Sequence, residues 1–315
     1  MTYRLTEDDP DPAAVHRMTF VPFLPDGRCV VLPGPALPTG DVLPGEHHLL
    51  DTCKRIPVDQ LGFRFQRVHP FAIDDDHLYV WLDGDVRAEM PSVTATAEDL
   101  AEPLPEVLDA ARSFRTQSDA SYYADNVRVL EPAYLRGATP QEGSGFGGDA
   151  AAWRTRRGMI VDGLHRPGTF LDVGCANGLL MESVREWAAE RGLAIEPYGV
   201  DLAPGLVDLA RRRLPRWADR IEVGNAIDYA PGRRFTFVHV LLDQVPKARR
   251  ADLVRHALTL VEPGGRLLVS HYMGGTTDRT AAEHLRELGF TASGTAESLR
   301  ATTAWLDKPG GGAEK

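Results

Sequence analysis

The chain is poor in cysteine. Cys29, Cys53 and Cys175 are the only three among 315 residues, widely separated and odd in number. That excludes a disulfide framework and a cysteine-built zinc site, and it fits a reducing cytoplasm. Long apolar runs are also missing. The longest candidate, 235–245, falls far short of the ~20 residues needed to cross a bilayer, so no membrane span or membrane partner is expected. Positive charge is not in excess: 35 Lys and Arg stand against 45 Asp and Glu, a net charge of −10. A chain of that sign does not attract a phosphate backbone as a whole. Its basic clusters, Arg154/Arg156/Arg157, Arg211–Arg213 and Arg249–Arg250, lie among acids on predicted helices and read as solvated faces, without the interleaved aromatics of a nucleic-acid track. The opening residues, MTYRLTEDDPDP, are acidic and polar, unlike a secretory signal. No internal repeat is found. What is present is globular composition, 43% hydrophobic and 25% charged, in a chain longer than an ordinary domain of ~100–200 residues. Two domains are expected.

The patterning divides the chain accordingly. Residues 1–114 are the first domain, with short strands and turns over 18–91. Met18–Leu24 and Cys29–Leu32 flank the hairpin signal Pro25-Asp26-Gly27, and Phe63–Phe71 and His77–Leu82 flank the acidic turn Asp74-Asp75-Asp76. A helix over Leu49–Ile56 is expected to end at Pro57, and another to span Glu98–Arg115. Residues 115–150 are a joining or lid segment, in which Pro132, Pro140 and the run Gly143–Gly148 interrupt any long helix. Asp149 is placed to cap a helix reaching Gly163.

From 151 to 307 strands and helices alternate. Strands are predicted at Thr169–Val173, Pro197–Val200, Ile221–Val223, Phe235–Leu241, Arg266–Ser270, Phe290–Thr295 and Arg300–Leu306. The helices are Leu179–Arg191, one opened by Pro204, Lys247–Val261 and Thr280–Leu288. Alternation of this kind specifies an α/β fold: a doubly wound parallel sheet with helices on both faces and its ligand at the carboxyl ends of the strands. Residues 308–315 are expected to be a disordered tail.

The most informative residues follow the first of these strands: Asp172-Val-Gly174-Cys-Ala176-Asn-Gly178. Small side chains at alternate positions let a ligand approach the backbone closely. Asp201 ends the second strand, where a carboxylate can accept hydrogen bonds from both hydroxyls of a ribose. A nicotinamide-dinucleotide loop needs two residues between its last glycines, and the spacing here is wrong for it. The segment resembles the class I S-adenosylmethionine-dependent methyltransferases over residues 150–307. The resemblance rests on this loop, Asp201, Gly224-Asn225-Ala226, Phe237–Asp243 and Leu260–Leu267. It departs at Ala176, where the family has glycine, and at Asn225, where it has an acid. The resemblance implies a seven-stranded sheet of order 3-2-1-4-5-7-6 with the seventh strand antiparallel, and S-adenosylmethionine as donor. Asp172, Gly174, Ala176, Gly178, Asp201 and Leu202 would bind it, with Asn225 and Ala226 at the adenine.

Methyl transfer is an in-line displacement, so a protein chiefly aligns the acceptor and excludes water. An acceptor that must lose a proton gains from a base. Asp243, after the fourth strand, and His271 and Tyr272, after the fifth, are the candidates; each also has a plain loop or packing role open to it. His239, inside the fourth strand, reads as a core histidine. Tyr122, Tyr123, Phe146 and Trp153 gather near the glycine run, as a lid or as a linker with packing anchors. The fourth-strand end lacks the Asn/Asp-Pro-Pro-aromatic pattern of planar-nitrogen methylation in nucleic acids and proteins, which favours a small-molecule acceptor. No metal site is expected, and a homodimer stays open.

Residues 18–91 resemble a Nudix domain, on Gly40-Asp-Val-Leu-Pro-Gly45-Glu46, Lys54-Arg55 and Asp59-Gln60-Leu61-Gly62. Ile56 stands where that family has a glutamate, and Asp59 and Gln60 replace its Glu-Glu pair. Too few carboxylates remain to hold Mg²⁺ against a diphosphate, so a smaller α+β Nudix-like domain without hydrolysis is expected. The alternatives are a catalytically silent binder of a nucleotide-like ligand and a phosphohydrolase relying on Glu46.

Overall fold

The computed structural model describes residues 4–5, 12–24, 27–44, 46, 49–86, 93–95, 104–115, 119–272 and 279–310. The chain forms two compact units, Met1–Leu130 and Glu131–Lys315.

The first unit is built on a mixed sheet of seven strands: β1 (Arg4–Leu5), β2 (Arg17–Phe23), β3 (Cys29–Val31), β4 (Thr39–Asp41), β5 (Phe63–Asp74), β6 (His77–Val86) and β7 (Val93–Ala95). The order is β1-β5-β6-β2-β3-β7, with β4 added beside β2. β2 and β6 run parallel, and the other pairs are antiparallel. The expected hairpins are present as β2–β3 and β5–β6. Residues Pro25 and Asp26 of the first turn lie outside the described residues, and Asp75 turns the second at φ 51. Helix α1 (Leu49–Leu61) lies against β2 and β5. Helix α2 (Leu104–Arg115) brings Val107, Leu108 and Ala111 onto Val21, Phe23, Phe71 and Trp81. The part of the expected 98–115 helix before 104 lies outside the described residues.

Two proline rules failed. Helix α1 does not end at Pro57 but continues to Leu61. An interior proline removes one helix bond and crowds the carbonyl four residues back, at about 3 kcal/mol. Here both Pro57 and Leu61 are buried in the core, and Gly62, at φ +61, closes the helix by donating to the Val58 carbonyl at 2.9 Å. Likewise α3 (Asp119–Leu135) runs straight through Pro132.

The second unit follows the expected topology. Its strands are β8 (Gly168–Val173), β9 (Ile195–Asp201), β10 (Ile221–Val223), β11 (Phe235–Leu241), β12 (Val261–Tyr272), β13 (Gly294–Ser298) and β14 (Ala301–Asp307). They lie in the order β10-β9-β8-β11-β12-β14-β13, and β14 is antiparallel to both neighbours. Strand β12 begins earlier than expected, taking in Glu262-Pro263-Gly264-Gly265 through a register irregularity beside β11. Helix α4 (Ala150–Arg157) is capped by Asp149, whose carboxylate accepts from Ala152 N at 2.8 Å, and it continues as a 3-10 turn to Gly163.

Helices α5 (Leu179–Ala189), α6 (Pro204–Arg213), α7 (Arg250–Leu260) and α8 (Ala281–Glu287) complete the layers. α4 and α5 cover one face of the sheet with Trp153, Leu180, Val184 and Trp187 over Phe170, Phe237 and Leu268. α7 and α8 cover the other, over Leu171, Val238, Val240 and Val269. The two sets of strand residues are consecutive in sequence because side chains alternate across a sheet. The tail is not free at its start. Lys308 Nζ donates to the carbonyls of Leu258 and Val261 at 2.9 and 2.7 Å, and its backbone pairs with Gly264 and Gly265. Residues 311–315 of the expected tail lie outside the described residues. Among the described residues no helix is long and apolar enough to cross a membrane.

The bonds around Glu46 show why that residue matters locally. Its carboxylate takes Arg55 Nε and Nη2 at 2.7 and 2.9 Å, Thr52 Oγ1 at 2.8 Å and Leu43 N at 2.8 Å. The Arg55 hydrogen bond, the largest influence, holds its carboxyl down at about 2 against an ordinary 4.5. A depressed carboxyl stabilises the fold fully above its unfolded value and loses that contribution as pH falls through its folded value. Glu46→Gln is expected to cost about 1.5 kcal/mol at neutral pH. In thermal melts the gap from wild type should shrink as pH falls from about 4.5 toward about 2.

Candidate active site

Four described loops follow β8, β9, β10 and β11 at the carboxyl-terminal edge of the second sheet. The first is 174–178, after β8. It enters and leaves in left-handed backbone, Gly174 at φ +72 and Gly178 at φ +76, with Ala176 at φ 47 between them. The N–H groups of Gly174 and Cys175 both donate to the Val200 carbonyl, at 2.7 and 3.1 Å. Asp201, at the end of β9, completes the tie. One carboxylate oxygen accepts from Ala176 N at 2.8 Å, the other from Ala203 N at 2.9 Å. Burial pushes this carboxyl up, and the two backbone N–H groups pull against that rise. Each oxygen has a further lone pair for a ligand.

A Cβ at Gly174 would lie 2.1 Å from Gln244 Nε2, so a side chain there would force the Gln244 amide to move. Gln244, beyond β11, donates from that nitrogen to the Val173 carbonyl at 2.5 Å. Nothing in the sequence around Gln244 signals this contact. Asn177 is a second residue that sequence reasoning missed. It is buried and accepts from Ser144 Oγ at 2.6 Å and Leu179 N at 3.1 Å, while its Nδ2 donates to the Pro140 carbonyl at 2.8 Å. The 140–144 stretch of the expected lid is thereby fastened to the glycine loop. Glu131 on α3 accepts from Gly205 N at the start of α6.

Above the strand ends lies an aromatic wall with a cation in it. Arg157, only 9% exposed, sets its guanidinium 3.8 Å from the Tyr272 ring centre, 4.4 Å from Trp153 and 5.0 Å from Phe146. Its Nη1 is buried with no hydrogen-bond partner among the described residues. Tyr134 on α3 stands nearby, its hydroxyl tight against Gly145, where an added Cβ would lie 2.2 Å away. Burial, then the charges of Asp243 and Asp201, push its phenol up to about 12.

The expected site residues separate into groups. Asp172, Gly174, Ala176, Gly178 and Asp201 lie together at the first two strand ends, with Leu202 half-buried beside them. Asn225 and Ala226 follow β10. The Asn225 amide oxygen accepts from Ile227 N at 3.2 Å, an Asx-type turn that leaves its Nδ2 to donate. Asp243 lies close enough to both Tyr134 and Tyr272 for its charge to act on each. Asp243 and Tyr272 are each crowded by protein yet reached by solvent, as groups lining a crevice are. Burial raises the Asp243 carboxyl, and Arg250 opposes the rise. His271 does not join them. It points from the opposite face of β12, its ring 4.7 Å from that of His284 on α8. His284 is in turn held down at about 4 by burial and by the charges of His271 and Arg250. His239 is buried as expected but bonded on both ring nitrogens.

No protein-family model and no curated protein matches the chain. Solved structures do share part of its arrangement. N-methyltransferase NodS from Bradyrhizobium japonicum WM9, in complex with S-adenosyl-L-homocysteine, is 15% identical over 59% of this chain and 100% of its own, with a TM-score of 0.46. The 1,6-didemethyltoxoflavin-N1-methyltransferase from Burkholderia thailandensis is 19% identical over 61% of this chain and 91% of its own, at 0.46. The [4+2]-cyclase SpnF is 16% identical over 59% and 97%, at 0.43. Likeness at this level carries no chemistry across.

The loop geometry separates its two small residues. Gly174→Ala should lower stability, by about 1–2 kcal/mol for left-handed backbone alone, with the Gln244 contact added. Ala176→Gly removes a similar strain against about 0.4–1 kcal/mol of unfolded-chain entropy. Urea denaturation should therefore show a loss for the first variant and none for the second.

Proposed function

We propose that the second unit transfers a methyl group from S-adenosylmethionine to a small-molecule acceptor. The observation that carries this reading is the pairing of a close-approach loop with Asp201 at adjoining strand ends. A ribose needs a carboxylate with spare lone pairs, and an adenosyl group needs backbone it can lie against; both are present. Asp201 would hold the ribose hydroxyls, with Gly174, Ala176 and Gly178 beneath and Leu202, Asn225 and Ala226 toward the base. Asn225 would then give a hydrogen bond to a ring nitrogen from Nδ2, its oxygen already serving Ile227. Arg157 supplies what the sequence reading lacked: a buried cation with an unpartnered nitrogen, suited to the carboxylate of the donor's amino-acid end. Bound there, the sulfonium supplies an activated methyl group whose bonding electron pair leaves with the sulfur. The residues of the chain then align the acceptor and keep water out. Tyr134, Tyr272, Trp153 and Phe146 form the apolar wall for that task, and Asp243 and Tyr272 are the polar groups that face the acceptor.

For the first unit we infer a Nudix-like domain that does not hydrolyse. Glu46 is consumed by Arg55, Ile56 is buried against Gly40, and Gln60 pairs with the Thr39 backbone at 3.0 and 3.3 Å. No cluster of three or more His, Cys, Asp or Glu side chains suited to a metal occurs among the described residues. Substrate recognition, dimer contact or stability would then be its role.

Calorimetry with S-adenosylhomocysteine tests the main reading. Wild type should bind. Asp201→Ala should weaken binding at least about 10-fold, since it removes a charged hydrogen-bond acceptor worth about 1.5–3 kcal/mol. Arg157→Met should weaken it comparably. Binding unchanged in Asp201→Ala removes the ribose role.

A further inference from the structure

Three arginines gather where β12 ends. Arg156 and Arg157 are consecutive on α4, and both guanidinium groups lie over Phe146, at 5.9 and 5.0 Å from its ring centre. Arg157 also lies over the Tyr272 ring, at 3.8 Å. Arg300 belongs to the turn between β13 and β14. It precedes Ala301, which pairs with Tyr272 across the strands. Ser298, on the other side of that turn, reaches α4: its hydroxyl lies 3.5 Å from the Arg156 carbonyl oxygen. Helix and turn together therefore bring the three residues to the carboxyl-terminal edge of β12.

Three positive side chains repel one another, the more so where protein excludes water. Burial disfavours the charge on Arg156, and Arg157 and Arg300 disfavour it further, with the Tyr272 phenol opposing them. Arg157 carries the clearest deficit. It is 9% exposed, and its Nη1 has no hydrogen-bond partner among the described residues. The aromatic faces around it attract a cation, but they do not replace the oxygen acceptor that a buried N–H needs. The acids whose charge reaches Tyr272 are engaged elsewhere. Asp172 lies 2.9 Å from His239 Nδ1, and Asp243 is opposed by Arg250 on α7.

The donor does not neutralise such a cluster. S-adenosylmethionine brings a carboxylate for Arg157, but it also brings an ammonium and a sulfonium, so its net charge is positive. Its arrival leaves the edge of β12 with more positive charge than before. A guanidinium has five N–H donors set along more than one edge, so Arg157 can serve a donor carboxylate and still face a second anion.

We propose that Arg156, Arg157 and Arg300 form an anion site for the methyl acceptor, and that the acceptor is a small molecule carrying a carboxylate or a phosphate group. This rests on the methyl-transfer reading above. The acceptor's acid, held by the arginines, fixes one end of the molecule, so that its nucleophilic atom is left beside the sulfonium. The same anion offsets the charge that the donor adds. A neutral analogue leaves the arginines unpaired and is rejected for that reason.

NMR titration of the full chain saturated with S-adenosylhomocysteine tests the site. The signal to follow is the Trp153 indole N–H, assigned through Trp153→Phe. That ring lies 4.4 Å from the Arg157 guanidinium, and its N–H is anchored on Ser183 Oγ at 3.0 Å. Benzoate and phenyl phosphate are the probes, and benzamide is the neutral control. Wild type should bind at least one of the two anions saturably, at least about 10-fold more tightly than benzamide; the tighter anion identifies the acid. Arg156→Gln should weaken anion binding about 10-fold, as expected for loss of a hydrogen bond to a charged group. Arg300→Gly should weaken it about 3-fold, as expected for an exposed charge. Arg300 sits at φ 57, which glycine adopts freely, so that variant keeps the test valid if Arg156→Gln does not fold. Benzamide binding as tightly as both anions, or anion affinity unchanged in both variants, overturns the site. Displacement of the anions by S-adenosylhomocysteine also overturns it, since the cluster would then serve the donor alone. Failure of wild type to bind S-adenosylhomocysteine would sink the methyl-transfer reading instead, and the same titration of the unloaded chain would still decide whether the arginines hold an anion.

Discussion

The carboxylate of Asp201 is the constraint on which the rest of the cleft depends. It is bonded at once to the N–H of Ala176 and the N–H of Ala203, so two loops from neighbouring strands are fixed against each other. Without that clamp, little would oblige Ala176 to stay in left-handed backbone, which an alanine adopts only at a cost. Within the strained turn Gly174 is exposed, while Cys175, Ala176 and Asn177 are buried. The clamp, made of two charge-assisted bonds in a partly desolvated place, is strong enough to hold it. A group that braces the loop in this way is already oriented when a ligand arrives, and little reorganisation is left to oppose binding.

Polarity enters this core under strict terms. The row from Asp172 to Thr303 lies where aliphatic side chains would pack well, and it is bonded from end to end. Arg157 is the opposite case. It is enclosed by three aromatic rings, which attract a cation but give it no acceptor for Nη1. A fully bonded polar row and a cation with one unpartnered nitrogen thus lie on the same side of the sheet.

The first unit uses similar bonds for another end. Glu46 sits where a resemblance to metal-dependent hydrolases made it a candidate, yet Arg55, Thr52 and Leu43 occupy its oxygens. Ile56, one residue beyond Arg55, is packed against Gly40. The charges of the helix and its loop are turned inward to one another.

The alternation of strands and helices in the second unit, its glycine loop and the position of Asp201 were legible in the sequence because each depends on local signals, whereas the strand order was given only by the family resemblance. Two prolines misled the same kind of reading. Pro57 and Pro132 break helices by local rules, yet both helices continue through them, the first with Ile56, Pro57 and Leu61 buried in the core. Gln244, Asn177 and Ser144 gave no local signal for the contacts of Gln244 with Val173 and of Asn177 with Ser144, 71 and 33 residues apart along the chain, and Arg157, read as part of a solvated face, is buried against Tyr272 of β12. His239 could be read as buried but not as bonded, because burial follows from strand pattern while bonding follows from which strands become neighbours. The sequence by itself determined the elements, their alternation and the close-approach loop, through propensities and spacings that act over a few residues. Only the tertiary structure decided which side chains meet at the strand ends, because register across the sheet and the face of β12 to which each residue turns place Tyr272 in the cleft and His271 against His284.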